Sequence, residues 1–472
     1  MEDARFTVRL AGLVIGSSKG RRGVLVLATA ESAAQWLDGL RINRFHVGLM
    51  FLVGLVEMFS GYNSQVIAYT MPQITQDWGL NPVLAGTLSS YAFVGFMVGA
   101  AAFGVIADRI GRKRALVLAF IVFSAFGGLS GLAPNFTVFV IVRFLAGVGM
   151  GAALPIAIAL VAEYAPARAR GRAVTAMTCG FNLGWAVAGL GAILIIPALG
   201  WRAALLVGSL PLILVPVLWR WLPESVRFLA EKRRYEEAVR ELRRIEAAAG
   251  GPGFNWSPGH FGGSAPPVRS SSKEIFRHGL AATTLLLWAM YFLAFLVIYG
   301  LSMWLPTLLL ASGFSLAQGY GLGMLQAVWA VAGGLFSGYL LDRLGRKPVL
   351  AGYYFLGGVA LCLLAVVSSG IALAVATAAT GVFIIAAPIP QHVVAGETYP
   401  THVRSTGVGW ALTVGRVGSI LGPILGGAMQ LAGFGPALNF LLLAIPCFVC
   451  GALVLLPVFR TLGRAQGASL VA

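Results

Sequence analysis

The sequence predicts an all-α membrane protein: twelve transmembrane helices in two pseudo-symmetric six-helix bundles. Three observations predict it. Of 472 residues, 58% are hydrophobic and 11% charged, where an ordinary soluble domain has about 25% charged. Apolar runs of about 20 residues, the length that spans a bilayer, recur along the chain. Two loops nearly repeat, GVIADRIGRK at Gly104–Lys113 and GYLLDRLGRK at Gly338–Lys347, offset by 234 residues.

The runs fall at 47–69, 84–106, 115–133, 136–163, 171–197 and 202–222, then at 279–305, 318–341, 348–369, 371–396, 404–430 and 435–459. The predicted organisation is a cytoplasmic N-terminal segment over 1–44, a first bundle over 45–222, a cytoplasmic linker over 223–278, a second bundle over 279–460 and a cytoplasmic tail over 461–472. Within 1–44, Leu10–Ile15 and Val24–Ala30 are too short to span, and no small-residue cleavage site follows a proper apolar core. A secretory signal is therefore not expected. In the linker, Glu and Arg at helical spacing from Glu231 and Glu241 predict a short amphipathic surface helix. Gly250–Pro267, rich in Gly, Pro and Ser, reads as a flexible connector.

The net charge is +17. The positives sit in short segments between apolar runs, which excludes a nucleic-acid-binding face and fits loops facing an anionic leaflet. Arg109, Arg112, Lys113 and Arg114 lie between spans two and three. Arg168, Arg170 and Arg172 lie between four and five, and Arg343, Arg346 and Lys347 between eight and nine. Opposite loops carry almost none, Arg202 excepted. Both termini are therefore expected in the cytoplasm, with the chain multi-pass in the inner (plasma) membrane. The 4 cysteines all lie in apolar runs, and Cys447 and Cys450 read as two small buried side chains rather than a redox pair.

The same offset pairs Glu163 with Glu397, Pro166 with Pro400, Arg170 with Arg404 and Gly184 with Gly418. One register for separate motifs means a six-span unit duplicated in parallel, packed about an axis along the membrane normal.

At these residues the chain resembles the major facilitator superfamily, whose characteristic signature is the DRxGRK loop. The likeness covers about residues 36–460. Within it, SGYNSQVIAYTMP (Ser60–Pro72) looks like the DGFDTQAIGYxAP stretch of the aromatic acid:proton symporters. Arg143–Pro166 in span four and Tyr399–Pro423 in span eleven are similar to the same family. The resemblance implies a secondary transporter and no enzyme, probed by no metal or organic cofactor and driven by the proton gradient. It implies a small organic anion, an aromatic carboxylate such as a benzoate, as substrate, and a monomer in the bilayer. It implies gating by Asp108, Arg109 and Arg112 with their duplicates Asp342, Arg343 and Arg346. Arg143, Glu163, Glu397 and Arg404 join this gating set. Glu163 is expected to pair with Arg109, Arg168 or Arg170.

Ionisable groups within the bilayer are expensive and usually functional. Arg416 stands about three turns inside span eleven. A guanidinium there needs a counter-charge or an aqueous opening, and a substrate carboxylate meets it in a bidentate fork. A permanent ion pair with another span is the alternative. Its duplicate is the neutral Asn182, so the expected pocket is asymmetric. Trp410, on the same helix, is the first choice to stack on an aromatic ring, with Tyr62 also expected in the pocket. Tyr291, Phe295, Tyr299, Trp185 and Trp304 are further aromatic candidates.

The chain departs from the resembled family at span one, where both Asp positions are neutral, Ser60 and Asn63. Glu57, three residues before Ser60 and on roughly the same face, is expected to take over proton binding. His392, following Pro388-Ile389-Pro390, is a second candidate. Efflux by proton antiport is the alternative function. Gly418–Gly427 resembles the glycine-proline motif of antiporters, but it lies in span eleven rather than span five. A neutral sugar would leave Arg416 unexplained. A receptor would need a longer structured extension than 223–278, and no nucleophile–base set or metal cluster suggests an enzyme.

Overall fold

The computed structural model describes residues 32–249, 254, 256–261, 274–277, 280–367, 370–400 and 403–456. Eleven helices among them are long and apolar enough to cross a membrane. The longest, Ala167–Trp221, holds two spans. Gly200, at φ 75° and ψ 176°, breaks it between span five and span six, as the gap between the runs ending at 197 and starting at 202 predicts. The other spans are Arg44–Trp78, Pro82–Ile110, Arg112–Leu129, Phe136–Tyr164, Ala281–Ala311, Leu316–Leu344, Arg346–Val366, Gly370–Thr398, Arg404–Leu431 and Pro436–Leu455. In hydrocarbon every backbone group must be satisfied within its own segment, which leaves the helix as the only open-ended solution.

Sequence punctuation explains the helix ends. Asn43 caps span one by accepting from Phe45 N at 3.0 Å. Asn81 and Asn135 cap spans two and four through Leu84 N and Val138 N, at 2.9 and 3.0 Å. Each side-chain oxygen takes up a helix-start N–H that has no intrahelical partner. The glycine of each DRxGRK loop, Gly111 and Gly345, has φ of 100° and 84°, a conformation a β-carbon resists. That glycine lets spans two and eight turn at once into spans three and nine. Span ten departs from a regular helix. Gly381–Ile385 winds as a π-turn just before Pro388 and Pro390, whose missing N–H groups disturb the ladder there.

The packing repeats. Spans one and five pack together, as do seven and eleven; two packs with four and eight with ten; three packs with six and nine with twelve. Between the halves, span two lies against span eleven and span five against span eight. That is the pattern of two related bundles around one axis.

The DRxGRK loops and the linker define a basic end of the molecule. There the linker forms helices Val226–Glu231 and Tyr235–Ala249 and packs on the first bundle. The N-terminal helix Ala33–Gly39 joins it, with Trp36 edge-on to Trp256 at 5.2 Å. Most of the Gly250–Pro267 stretch, the segment before residue 32 and the tail over 461–472 lie outside the described residues. At the other end the halves meet closely. Tyr69 packs edge-on to Tyr320 at 5.4 Å, and Gln65 Nε2 donates to the Ser302 carbonyl at 3.1 Å. The exceptional Arg202 is neutralised at this end: Nη1 lies 3.5 Å from Asp77, and its guanidinium covers Trp201 at 4.2 Å.

Candidate functional site

Arg416 stands at the middle of span eleven, half-buried. Span eleven is seated on span seven through its small residues. A β-carbon on Gly418 would run into the Phe292 backbone, and one on Gly415 would press on Tyr291 and Phe295. The helix therefore presents Arg416 with its backbone held. Its Nη1 donates to the Tyr299 hydroxyl at 3.3 Å. Its guanidinium lies over Phe96 at 3.9 Å and over Phe295 at 5.3 Å. Among the described residues no carboxylate lies within salt-bridge distance of it, so no permanent ion pair holds it.

Tyr299 continues an aromatic wall. Phe93 lies 4.4 Å from it between centroids, Trp185 6.0 Å and Phe295 6.1 Å. The wall draws on spans two, five and seven, hence on both bundles. Aromatic faces of this kind suit a planar ring, and the free edges of a guanidinium suit a carboxylate.

Glu57, in span one, is fully buried. Neither carboxylate oxygen accepts a hydrogen bond from the described residues. Arg416 is near enough for its field to reach Glu57, and it reaches His392 as well. His392 is exposed. It stacks on Tyr291 at 5.4 Å with 16° between planes, and its Nδ1 meets the Tyr291 hydroxyl at 2.6 Å. Glu57, Arg416 and His392 thus belong to one electrostatic neighbourhood.

Other expected pocket residues lie elsewhere. Tyr62 is buried, and its hydroxyl donates to the Ala204 carbonyl at 2.6 Å, which fixes it between spans one and six. Trp410 is 42% exposed and lies 6.0 Å from Trp288, nearer the basic end than Arg416. Asn182 is half-buried in span five, three residues from Trp185 of the aromatic wall. Phe93 and Phe96 did not stand out in the sequence. Their one signal is the neighbouring pair Gly95 and Gly99, which marks the face of span two that packs on span four.

Arg143 is 1% exposed. Its Nη2 donates to the Asn63 carbonyl at 2.7 Å, while Nε and Nη1 have no partner among the described residues. Ser60 is buried beside Asn63 in the sequence order of span one. The side chain of Asn63 donates to the Phe59 carbonyl at 3.1 Å.

At the basic end Glu163 pairs with Arg112, not with Arg109, Arg168 or Arg170 as expected. The turn at Gly111 starts span three at Arg112 and aims it at the end of span four, whereas Arg109 and Arg168 are exposed and Arg170 pairs with Asp38. The duplicate pair is Arg346 with Glu397, Nε to Oε2 at 2.9 Å. Both pairs obey the 234-residue offset. Asp108, Arg109, Asp342 and Arg343 are all exposed; Arg343 covers Tyr339 at 4.8 Å. Exposed Arg404 donates through Nε to the Tyr399 carbonyl at 3.4 Å.

Comparison with known proteins agrees with this architecture. The Major Facilitator Superfamily matches residues 53–334 and again 321–468. A benzoate transport protein of Acinetobacter baylyi is 34% identical over 87% of this chain and 89% of its own length. A gallate transporter of Pseudomonas putida is 35% identical, over 89% and 93%. A 4-hydroxybenzoate transporter of Pseudomonas aeruginosa is 36% identical, over 86% and 91%. Among solved structures, the xylose transporter of E. coli in a partially occluded inward-open conformation superposes with a TM-score of 0.70. It is 18% identical and covers 86% of this chain and 96% of its own; the likeness is one of fold. The chain is a transporter and not an enzyme, and it belongs to the major facilitator superfamily.

Proposed function

We propose that this protein imports a small aromatic carboxylate together with protons across the inner membrane, its termini and linker in the cytoplasm. The observation that carries the reading is Arg416: a half-buried guanidinium at mid-membrane, without a carboxylate partner among the described residues, on an aromatic wall built by both bundles. The names of the relatives support the same substrate class.

Electrostatics supplies a route to coupling. Burial makes an ionised Glu57 costly, and the positive charge of Arg416 offsets part of that cost. A bound carboxylate cancels the offset, and a buried carboxylate with no hydrogen-bond donor among the described residues then holds a proton more firmly. Occupancy of Arg416 and protonation of Glu57 favour each other, and the favour is reciprocal. Proton and anion therefore travel together. His392, in contact with Tyr291, is the second proton site. Asp108, Arg109, Arg112, Asp342, Arg343 and Arg346, with Glu163, Glu397 and Arg404, serve the gate at the basic end. No metal or organic cofactor enters this scheme.

The test is uptake of labelled benzoate and 4-hydroxybenzoate into proteoliposomes, with and without an inward proton gradient, against aromatic, aliphatic and sugar competitors. Gradient-stimulated uptake that aromatic acids block and Arg416→Ala abolishes is the expected result. Uptake indifferent to the gradient would overturn the coupling. Transport only against the proton flow would establish efflux instead.

A further inference from the structure

Spans two and eleven run antiparallel across the interface between the bundles, and their contacts can be followed inward from the closed end. A β-carbon on Gly427 would strike the Pro82 backbone, and one on Gly86 the Pro423 backbone. Next, Ser90 Oγ donates to the Ile420 carbonyl at 2.7 Å. Then the Phe96 ring meets the Arg416 guanidinium at 3.9 Å. Two turns farther along the same face of span eleven stands Gly409, where a β-carbon would meet nothing within 4 Å. Phe96–Arg416 is the innermost of these four contacts.

The two residues belong to different rigid units. Span two is locked onto span four: β-carbons on Gly95 and Gly99 would collide with the Phe144 and Val148 backbones, and one on Gly151 with the backbone of Phe96 itself. Span eleven is locked onto span seven at Gly418. Phe96 is buried, so its ring has little freedom to follow Arg416. If the bundles rock to open the closed end, this contact breaks.

We propose that Phe96 is a positioning residue: it holds the unoccupied Arg416 across the bundle interface and so keeps the closed end shut, and a carboxylate bound to Arg416 releases it. The proposal rests on the reading of Arg416 as the carboxylate site. A ring face attracts a guanidinium through its charge, and more strongly where water is scarce. A carboxylate paired with Arg416 cancels that charge and weakens the attraction to Phe96. Phe295, the other ring under Arg416, lies in the same bundle as Arg416 and moves with it. The occupied carrier then opens the closed end more readily than the empty one, and exchange outpaces net flux.

The experiment uses the full-length protein in lipid nanodiscs, with spin labels at Leu84 and Leu431 on a background lacking the native cysteines. Both positions are exposed near the closed end. Without ligand, the wild-type protein is expected to show one short distance, and saturating benzoate to raise a longer-distance population several-fold. Phe96→Met, which keeps bulk but lacks a ring, is expected to show that population without benzoate. Phe96→Tyr is expected to behave as wild type, and Phe96→Leu serves if the Met variant does not fold. In proteoliposomes, the ratio of net benzoate efflux to benzoate exchange should rise several-fold in Phe96→Met and stay unchanged in Phe96→Tyr. A ligand-free distance distribution in the Met and Leu variants equal to wild type would overturn the proposal, even if benzoate shifts all of them and the carboxylate reading stands. If benzoate shifts none of them while Phe96→Met opens without ligand, the clamp holds, but its release by carboxylate and the reading of Arg416 both fall.

Discussion

Glu57 and Arg416 sit in different bundles, within reach of each other's field, and neither has a salt-bridge partner among the described residues. The Glu57 oxygens accept no hydrogen bond from the described residues. Arg416 rests on rings and one hydroxyl. Linkage between these two groups makes apparent benzoate affinity depend on pH. For one linked proton the affinity should tighten by up to about tenfold per unit fall in pH. In Glu57→Gln the site is permanently neutral, so binding should lose that dependence and uptake should ignore the proton gradient. Binding measured by calorimetry from pH 6 to pH 10 checks this, and an unchanged pH slope in Glu57→Gln would remove Glu57 from the mechanism.

Substitutions of Arg416 should separate charge from geometry. Lysine keeps the charge but not the planar fork. Hydrogen bonds to charged groups contribute about 1.5–3 kcal/mol each, so losing one corresponds to roughly 10- to 100-fold in affinity. Arg416→Lys is therefore expected to weaken benzoate binding by about that factor, and Arg416→Ala to abolish it. Equal binding by wild type and Arg416→Lys would mean that the carboxylate sits elsewhere.

The helices were legible because a bilayer enforces long apolar runs, and the bundle symmetry because Gly104–Lys113 and Gly338–Lys347 repeat in register. The same register carries the Arg112–Glu163 and Arg346–Glu397 pairs, yet in sequence Arg109, Arg168 and Arg170 are equally plausible partners of Glu163. The turn at Gly111, a backbone geometry that no residue pattern displays, aims Arg112 rather than Arg109. Arg416 stood out because a charge in an apolar helix is conspicuous. Phe96 did not, since one phenylalanine among 28 has no local mark of facing the other bundle. Tyr62 and Trp410 were placed by residue type alone. Helix rotation decides which way a ring faces, and Tyr62 is turned to the Ala204 carbonyl.

Arg143 is a buried charge with one hydrogen bond and two nitrogens that have no partner among the described residues. Taking a charge out of water costs several kcal/mol, and no ion pair among the described residues offsets that cost for Arg143. Arg143→Met should therefore melt no lower than wild type. A charge kept at such expense inside a membrane points to function, so benzoate uptake by the same variant should fall at least tenfold. A variant that melts far below wild type would show instead that Arg143 holds span four to span one.

The symmetric pairs at the basic end should differ in strength. Among the described residues Glu397 is held by Arg346 alone, and both side chains are 33% exposed. Exposed pairs of this kind contribute about 0–1 kcal/mol. Glu163 is 13% exposed and, besides Arg112, accepts from Ser225 Oγ at 2.6 Å and from Arg227 N at 3.0 Å. It fastens the start of the linker to the first bundle, a load its duplicate does not carry. Glu163→Gln is expected to lower the melting temperature clearly more than Glu397→Gln and to speed proteolysis between residues 223 and 278. Thermal melts and timed trypsin digestion of both variants check this. Equal losses would mean that the pairs act as simple symmetric surface bridges, with the linker held by its apolar packing on the first bundle.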